Sequence, residues 1–397
     1  MTKYIPTPLM GNEFNFDAHS KDVIKTAQEK EMAKALELPT DDPVDPKRMK
    51  RVEYTWTEMQ AQPEIIRDTT AKERESIKAS AAYFAQKGID RIIMVGCGDS
   101  ITSMEGVRYA YESLLKIQVE TQQALNFAYY YHGFVNEKTL VIALSSSGAT
   151  TRVVEAMMVA RQCGAQTLCL SNTPGSTLMV ECDRGILIHA ERKGWPTQSS
   201  TAAMATLLQF LIDFADASGI DPEKVKHYQE TLDSLPALMR KALDVSDKKI
   251  HEIAIKERDR KFYLFAGGGP CYSAAVFGSA KVKECSPDQA LTMQMEEFHH
   301  YNSLKVGDPI IIVAPDGYSV SRAFDTANES RRWGGQVYVI VTEGNHAFDE
   351  VADEVIYLPA IDEQFSAMVY SMPTQLFGYY VAMEKYQKAL KDLGKEA

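Results

Sequence analysis

The sequence has no long apolar run and no excess of positive charge. None of its apolar stretches approaches the roughly 20 consecutive residues that a membrane-spanning helix needs, so we expect no membrane partner. The net charge of −11 at pH 7 argues against a nucleic-acid partner, because such proteins favour a basic face. Residues 1–13 hold one lysine and no apolar core, unlike a secretory signal. We therefore expect a cytoplasmic protein.

Cysteine pairs and nucleotide-binding glycine motifs are also missing. None of the six cysteines forms a CxxC pair or stands at zinc spacing from a histidine, so reduced thiols and no metal site are expected. No Gly-Lys-Ser/Thr follows a glycine loop, and Gly96-Cys97-Gly98 lacks the third glycine of a dinucleotide fingerprint. We therefore expect no cofactor. A flavodoxin-like protein that binds a nucleotide is only a weak alternative for the function of this chain.

What the chain does contain is an alternation of strand and helix patterns. Short apolar runs end near Val95, Leu144 and Leu170, and each precedes a turn or a helical pattern. Strands separated by helices indicate right-handed βαβ units and a parallel sheet. The same alternation starts again after residue 260, where a strand is predicted at 261–266 and another at 309–314. The sequence thus predicts an α/β protein with two similar halves.

Equal spacings suggest that the two halves arose by internal duplication. Gly98 and Gly269 are 171 positions apart, and so are Ala143 and Ala314. We expect four regions along the chain, which 397 residues can accommodate. These are an N-terminal arm with helices at 1–66, a phosphate-binding domain at 67–218, a helical linker at 219–253, and a catalytic domain with a C-terminal helix at 254–397.

A hydroxyl-rich loop in the first half has the character of an anion site. The segment Leu144–Thr150 reads Leu-Ser-Ser-Ser-Gly-Ala-Thr and lies between an apolar strand pattern and a helical pattern. Backbone N–H groups and the positive end of a helix dipole meet at such a point, and the hydroxyls add donors. The corresponding segment of the second half carries Asp316, which would repel an anion. A phosphate is therefore predicted in the first half only, although an ordinary helix N-cap gives a similar pattern.

The second half carries groups that can move protons. Lys281 and Glu284 are three positions apart and share one face of a predicted helix. Glu297 and His300 follow within 16 residues of Glu284. A carboxylate and an imidazole together can transfer protons at neutral pH, as aldose–ketose conversion requires. Other interpretations stay open for both segments. Lys281 and Glu284 could form an ordinary solvated ion pair. Residues 296–300 could be a polar helix end, or a metal cluster without an obvious third ligand.

In their order along the chain, these motifs resemble the sugar isomerase (SIS) family, most closely the isomerase half of the glucosamine-6-phosphate synthases. Cys97-Gly98-Asp99-Ser100 is similar to the Cys-Gly-Thr-Ser turn of that family, with aspartate in place of threonine. Leu144–Thr150 is similar to Leu-Ser-Gln-Ser-Gly-Glu-Thr, and 281–284 and 297–300 are similar to Lys-Leu-Lys-Glu and Glu-Leu-Lys-His. The resemblance covers about residues 55–388 and includes no glutaminase domain, so we expect no release of ammonia from glutamine.

The resemblance implies a fold and a set of site residues. Each half would be a flavodoxin-like three-layer αβα SIS domain with a five-stranded parallel sheet. Glu284 would shuttle a proton between C1 and C2, and Lys281 would support its charge or the sugar hydroxyls. His300 would assist ring opening from the neighbouring subunit of a homodimer. The residues implied to bind the sugar phosphate are Ser100, Ser145, Ser146, Ser147, Thr150 and Ser200.

The departures from the family pattern guide the expected reaction. The family's C-terminal loop, with a lysine that forms an imine with the substrate, has no match, and the lysines at 388–395 look like a solvated helix end. A substrate that already carries nitrogen needs no such imine. We therefore expect deglycation or deamination of an amino-sugar or fructosamine 6-phosphate. Plain aldose–ketose isomerisation and a non-catalytic sugar-phosphate sensor stay as alternatives, and Trp195 is expected to pack either in the protein or against a substrate extension.

Overall fold

The computed structural model describes residues 16–33 and 42–394. Parts of two predictions lie outside these residues: residues 1–15 and 34–41 of the N-terminal arm expected at 1–66, and the last of the lysines expected at a helix end, Lys395. Within the described ranges, none of the helices has the length and apolar character needed to cross a membrane.

The strands form two five-stranded sheets whose pairings are all parallel. The strands of the first sheet are β1 (Arg91–Gly96), β2 (Gln118–Gln123), β3 (Thr139–Leu144), β4 (Gln166–Ser171) and β5 (Arg184–Leu187). Those of the second are β6 (Phe262–Gly267), β7 (Gln289–Gln294), β8 (Pro309–Ala314), β9 (Gln336–Thr342) and β10 (Glu354–Leu358). The order β2-β1-β3-β4-β5 recurs as β7-β6-β8-β9-β10. The predicted fold, two α/β halves with the same topology, is confirmed.

The two halves match strand by strand, with one shift in spacing. The first residues of β1 and β6, Arg91 and Phe262, are 171 positions apart. The third strands do not keep this spacing. Val95 pairs with Ala143 in the first sheet and Ala266 pairs with Ile312 in the second, so β8 positions lie 169 residues after their β3 equivalents. The predicted equivalence of Ala143 with Ala314 is therefore wrong by two residues. A two-residue deletion between the second and third strands of the later half accounts for the shift, and it aligns Asp316 with Ser147.

Helices cover both faces of each sheet and connect the halves. They are α1 (Ala18–Met32), α2 (Pro46–Lys72), α3 (Arg74–Ala85), α4 (Asp99–Leu115), α5 (Ala124–Asn126), α6 (Thr151–Gln162), α7 (Thr177–Glu181), α8 (Gln198–Ala217), α9 (Pro222–Glu257), α10 (Cys271–Cys285), α11 (Met295–Phe298), α12 (Val320–Arg332) and α13 (Ser366–Asp392). Single turns of π- and 3₁₀-helix lie at 127–131, 132–134 and 363–365. Asp45 caps α2, since its side chain accepts the Arg48 N–H at 2.8 Å and Pro46 follows it.

Strand β2 shows why some strands are hard to find in the sequence. The sequence predicts only a short strand at 117–119, whereas the observed strand runs from Gln118 to Gln123. It is the edge strand of its sheet and is largely half-exposed. A strand that is buried on both faces reads as a continuous apolar run, whereas an exposed edge strand has no need of one.

The packing of α4 against α10 joins the two halves. A Cβ atom at Gly106 of α4 would lie 2.5 Å from the Ser273 Oγ atom of α10, so the helices approach closely because glycine has no side chain. Helix α13 packs on the other side of α10, where Gly378 lies against the backbone of Lys281. Apolar residues from both halves form one continuous core. This arrangement places the start of α4 beside the end of α10.

Candidate active site

A cavity of about 470 Å³ opens at the carboxyl ends of β1 and β3 and extends to α10 of the other half. Ligands of open parallel sheets bind at this edge of the strands. The cavity is lined by all six residues predicted to hold the phosphate, namely Ser100, Ser145, Ser146, Ser147, Thr150 and Ser200. Glu284 from α10 lines the same cavity. One space therefore contains the predicted anion loop and the predicted proton-transfer group.

The serine loop between β3 and α6 is held by its own hydroxyls and by a glycine turn. The Ser145 Oγ atom lies 2.9 Å from Thr150 Oγ1 and 3.5 Å from Ser147 Oγ. The N–H of Gly148 donates to the Ser145 carbonyl at 2.9 Å, and the φ angle of Gly148 is +59°, a conformation that favours glycine. Thr150 is the N-cap residue of α6 but makes no side-chain capping hydrogen bond. The alternative of an ordinary N-cap does not describe this loop.

In the second half, the corresponding loop holds a carboxylate of the protein itself. The Tyr318 N–H donates to Glu363 Oε2 at 3.1 Å. A Cβ atom on Gly317 would lie 2.5 Å from the same oxygen. The N–H of Asp316 donates to Thr342 Oγ1 at 2.8 Å and is not available to a ligand. The sequence indicated repulsion by Asp316, and the structure adds a second reason, the Glu363 carboxylate, which no local pattern pointed to.

Lys281, Glu284 and Asp99 form a buried ionic cluster at the cavity wall. The Lys281 side chain is 0% exposed, its Nζ atom lies 2.9 Å from Asp99 Oδ2, and it also donates to Glu284 Oε2. The alternative of a solvated Lys281–Glu284 pair is therefore wrong. Asp99 is a site residue that the sequence argument passed over. Its one signal was the aspartate that replaces threonine in the first glycine turn.

The electrostatics of this cluster set the charge on each group. Burial raises the pKa of Glu284, the Lys281 ammonium lowers it, and the Asp99 carboxylate raises it again, so that it lies above its ordinary value. For Lys281, burial lowers the pKa, but the two carboxylates outweigh burial and raise it. The lysine therefore stays protonated at neutral pH, and Glu284, which is 26% exposed, is the group that can exchange a proton with a ligand.

His300 does not reach this cavity within its own chain. Its side chain is 61% exposed, and its Nε2 atom lies 3.3 Å from Glu296 Oε1. Glu296 in turn accepts from Arg322 Nε at 2.7 Å. The neighbouring His299 faces another way, with Nε2 3.2 Å from Thr326 Oγ1. A role of His300 in the site of a neighbouring subunit stays a prediction, and no grouping of three or more potential metal ligands is found in residues 16–33 and 42–394.

The loop after β5 is anchored to α2. Glu58 Oε1 accepts the N–H groups of Lys193 and Gly194, the latter at 3.0 Å, and the Trp195 N–H donates to Thr55 Oγ1 at 2.8 Å. The Trp195 ring lies 3.4 Å from the guanidinium carbon of Arg51, and the tryptophan does not line the cavity. This geometry supports a packing role for the tryptophan. The same loop contributes two cavity residues that the sequence argument missed, Arg192 and Pro196.

Comparisons with known proteins agree with this architecture. A family model described as SIS domain matches residues 84–213 and 258–385. The glutamine–fructose-6-phosphate aminotransferase (isomerizing) of Pyrococcus horikoshii is 27% identical over 337 residues, which are 84% of this chain and 55% of that protein. The protein of the same name from Aliivibrio fischeri is 31% identical over 323 residues, 78% of this chain and 52% of its own.

The chain spans about half the length of these curated relatives, 55% and 52%. Among solved structures, the C-terminal domain of glucosamine-fructose-6-phosphate aminotransferase from Francisella tularensis superimposes with a TM-score of 0.74. The match covers 84% of this chain and 96% of that chain at 24% sequence identity, and it identifies the fold.

Proposed function

Because this chain belongs to the SIS domain family, we propose that it is a sugar-phosphate-processing enzyme that acts by proton transfer between C1 and C2. We further propose that its substrate is an amino-sugar or fructosamine 6-phosphate, which it deaminates or deglycates. The observation that carries the proposal is the single cavity that joins the serine loop of one half to Glu284 of the other. The curated relatives are named for fructose 6-phosphate, which is consistent with a phosphorylated hexose.

The serine loop supplies the phosphate end of the proposed site. Backbone N–H groups at the start of α6 and the hydroxyls of Ser145, Ser147 and Thr150 are donors, as phosphate oxygens require. Arg192 also lines the cavity and adds positive charge. A substrate held there by its 6-phosphate extends across the cavity toward α10, so that C1 and C2 lie at the Glu284 end.

Glu284 would move the proton between the two carbons. In a fructosamine 6-phosphate, its carboxylate takes a proton from C1 and returns one to C2, while the C2 oxygen gains a proton and the nitrogen loses one, so that the C2 ketone and C1 amine pass through an enaminol to a C1 imine with a C2 hydroxyl. Water then adds to the imine carbon, and the amine leaves to give an aldose 6-phosphate. In an amino sugar, the proton moves from C2 to C1 and the C2 imine is hydrolysed to ketose phosphate and ammonia. The raised pKa of the Glu284 carboxyl suits proton transfer from C1 to C2 and from C2 to C1, because the group can both accept and donate a proton.

Lys281, Lys385 and Lys388 offer no amine for an enzyme imine in the cavity, which favours a substrate that brings its own nitrogen, whereas Lys283 does line the cavity. Lys281 is buried and protonated, so it is not a nucleophile. Lys385 and Lys388 of α13 are bound to Asp288 and Asp259 and line a different cavity. The plain isomerase remains the second candidate, because the same Glu284 and Lys281 pair serves an enediol equally well and the curated relatives are named as isomerizing.

An amine-release assay tests the proposal. The protein is incubated with glucosamine 6-phosphate and with fructosamine 6-phosphates, and the released amine and the sugar phosphate are measured. We expect release that falls by about 10² or more in Glu284→Gln. Glu252→Gln, an exposed glutamate on α9, is the control that should keep full activity. Ketose–aldose interconversion without amine release would favour the plain isomerase, and ligand binding without any turnover would favour a sensor.

A further inference from the structure

Among the residues that line the cavity, Asp99 is the one acidic group that the resemblance did not lead us to expect. It is the first residue of α4, directly after Gly98, whose φ angle is +56°. The related glycine turn has threonine at this position, which is neutral. Asp99 lines the cavity together with Glu284, and its side chain is 16% exposed. The aspartate therefore presents a charge to whatever ligand the cavity holds.

The second observation is that Asp99 shares its cation. The Lys281 Nζ atom is 2.9 Å from Asp99 Oδ2 and also donates to Glu284 Oε2. One ammonium faces two carboxylates, so the cluster has an excess formal charge of −1 when Glu284 is ionised. With threonine in place of Asp99, Lys281 and Glu284 would form a neutral pair. The aspartate thus adds one negative charge beside the reacting carbons of the proposed substrate.

Other cations near the cavity can balance the phosphate. Arg192 and Lys283 line the cavity, and Arg51 acts electrostatically on Glu284. A phosphate monoester brings about −1.5 to −2 at neutral pH, which these cations offset. The carboxylate that Asp99 adds lies at the Glu284 end, where it shares Lys281 with Glu284. A positive charge on the substrate near C1 or C2 is attracted to it there.

We propose that Asp99 is a specificity-determining residue that selects sugar phosphates with a protonated nitrogen on C1 or C2 over those with oxygen there. This inference rests on the proposed sugar-phosphate function and names the substrate class within it. An alkylammonium donates hydrogen bonds to carboxylates and is attracted by their charge, whereas a hydroxyl gains only the hydrogen bond. We assign this preference to Asp99, because the charges of ionised Glu284 and protonated Lys281 cancel each other.

Unreactive alditol phosphates test the inference without turnover. Three probes share one carbon chain and one phosphate: glucitol 6-phosphate, and its analogues with an amino group in place of the hydroxyl on C1 or on C2. Their Kd values are measured by isothermal titration calorimetry for the wild type, Asp99→Thr and Asp99→Asn. Asp325→Asn, an exposed aspartate on α12, is the matched control. Circular dichroism confirms that each variant is folded, and Asp99→Asn keeps the side-chain shape if the threonine variant fails to fold.

We expect the wild type and the control to bind at least one amino probe about tenfold tighter than glucitol 6-phosphate, since one nearby opposite charge has an effect of this size. In both Asp99 variants this ratio should fall to near one, while affinity for glucitol 6-phosphate is kept or rises. A purely structural role of Asp99 would weaken all three probes alike and would overturn the inference. So would equal binding of the three probes by the wild type. Failure of every probe to bind would instead refute the sugar-phosphate proposal itself.

Discussion

The Nζ atom of Lys281, near the end of α10, lies 2.9 Å from the Oδ2 atom of Asp99 at the start of α4, 182 positions earlier in the chain. The contact spans the two halves of the duplicated fold. It exists because α4 and α10 pack side by side at Gly106 and Ser273. Glu284 accepts from the same ammonium, so the proposed proton-transfer group of one half is held in a charge cluster that includes a residue of the other.

The first prediction concerns the pH dependence of this cluster. The pKa of Glu284 is raised by burial and by Asp99 and lowered by Lys281. If ionised Glu284 is the base, kcat/KM rises with pH through a value above the ordinary 4.5 of a glutamate. Asp99→Asn removes a charge that raises this pKa, so the limb should move to lower pH. Lys281→Met removes the charge that lowers it, so the limb should move to higher pH.

A pH–rate series on the three proteins checks this prediction. The ionisation of the substrate phosphate is common to all of them, so the differences between variants report the enzyme. Shifts of the same sign in both variants, or no shift in either, would contradict the assignment of the limb to Glu284.

The second prediction concerns His300, which is exposed and outside the cavity of its own chain. If it acts in the site of a neighbouring subunit, His300→Ala and Glu284→Gln should each be nearly inactive alone. When the two are mixed under conditions that exchange subunits, each mixed dimer contains one site with both wild-type groups. Activity should then return, and the measurement is the amine-release rate before and after mixing. No recovery in a mixture shown to contain mixed dimers would place His300 outside the partner's site.

The third prediction concerns the turn in the serine loop. Gly148 has a φ angle of +59°, and a Cβ atom there would overlap the Ser176 side chain. Gly88 has a similar φ angle of +63° but has no atom within 4 Å of such a Cβ. Gly88→Ala should therefore lower the free energy of unfolding by about 1 kcal/mol and leave KM unchanged. Gly148→Ala should lower the free energy of unfolding by more than this. It should also raise KM, because the serine loop has to move to make room for the new Cβ atom.

Urea denaturation and steady-state kinetics on the two glycine variants separate backbone strain from the overlap. Equal losses of stability with an unchanged KM in both would show that Ser176 gives way without disturbing the loop.

The fourth prediction concerns the anchor of the β5 loop. Glu58 is buried, and its carboxylate accepts two backbone N–H groups of this loop. Burial raises its pKa, so a neutral acceptor should replace it well. Glu58→Ala should lower the free energy of unfolding by about 1–3 kcal/mol, because it leaves two N–H groups without an acceptor, and should raise KM since Arg192 shifts. Glu58→Gln should retain most of the free energy of unfolding and a KM close to that of the wild type.

The exposed Glu64 on the same helix, paired with Arg240, is the control, and Glu64→Ala should cost less than about 1 kcal/mol. Thermal or urea unfolding and KM measure the outcome. If Glu58→Ala changes stability but not KM, the loop's position does not matter to the ligand.

The local features of the site were predictable because they depend on neighbours in the chain. The apolar runs that become β1 and β3, the hydroxyls after β3 and the glycine turn at Gly148 are set by strand, helix and turn geometry over a few residues. Resemblance of ordered motifs added Glu284 and Ser200 to the same pocket. The edge strand β2 was only partly found, because its exposed faces need no apolar pattern.

The sequence alone determined the α/β alternation, its repetition and the position of the anion loop, since these follow from the short-range spacing of apolar residues, glycines and hydroxyls. The tertiary structure alone decided that Lys281 is buried, that it is shared with Asp99, and that Glu363 occupies the second loop. The contacts of Lys281 with Asp99 and of Glu363 with the Tyr318 N–H join residues 182 and 45 positions apart. Such contacts depend on how whole helices pack, which no pattern of neighbouring residues specifies.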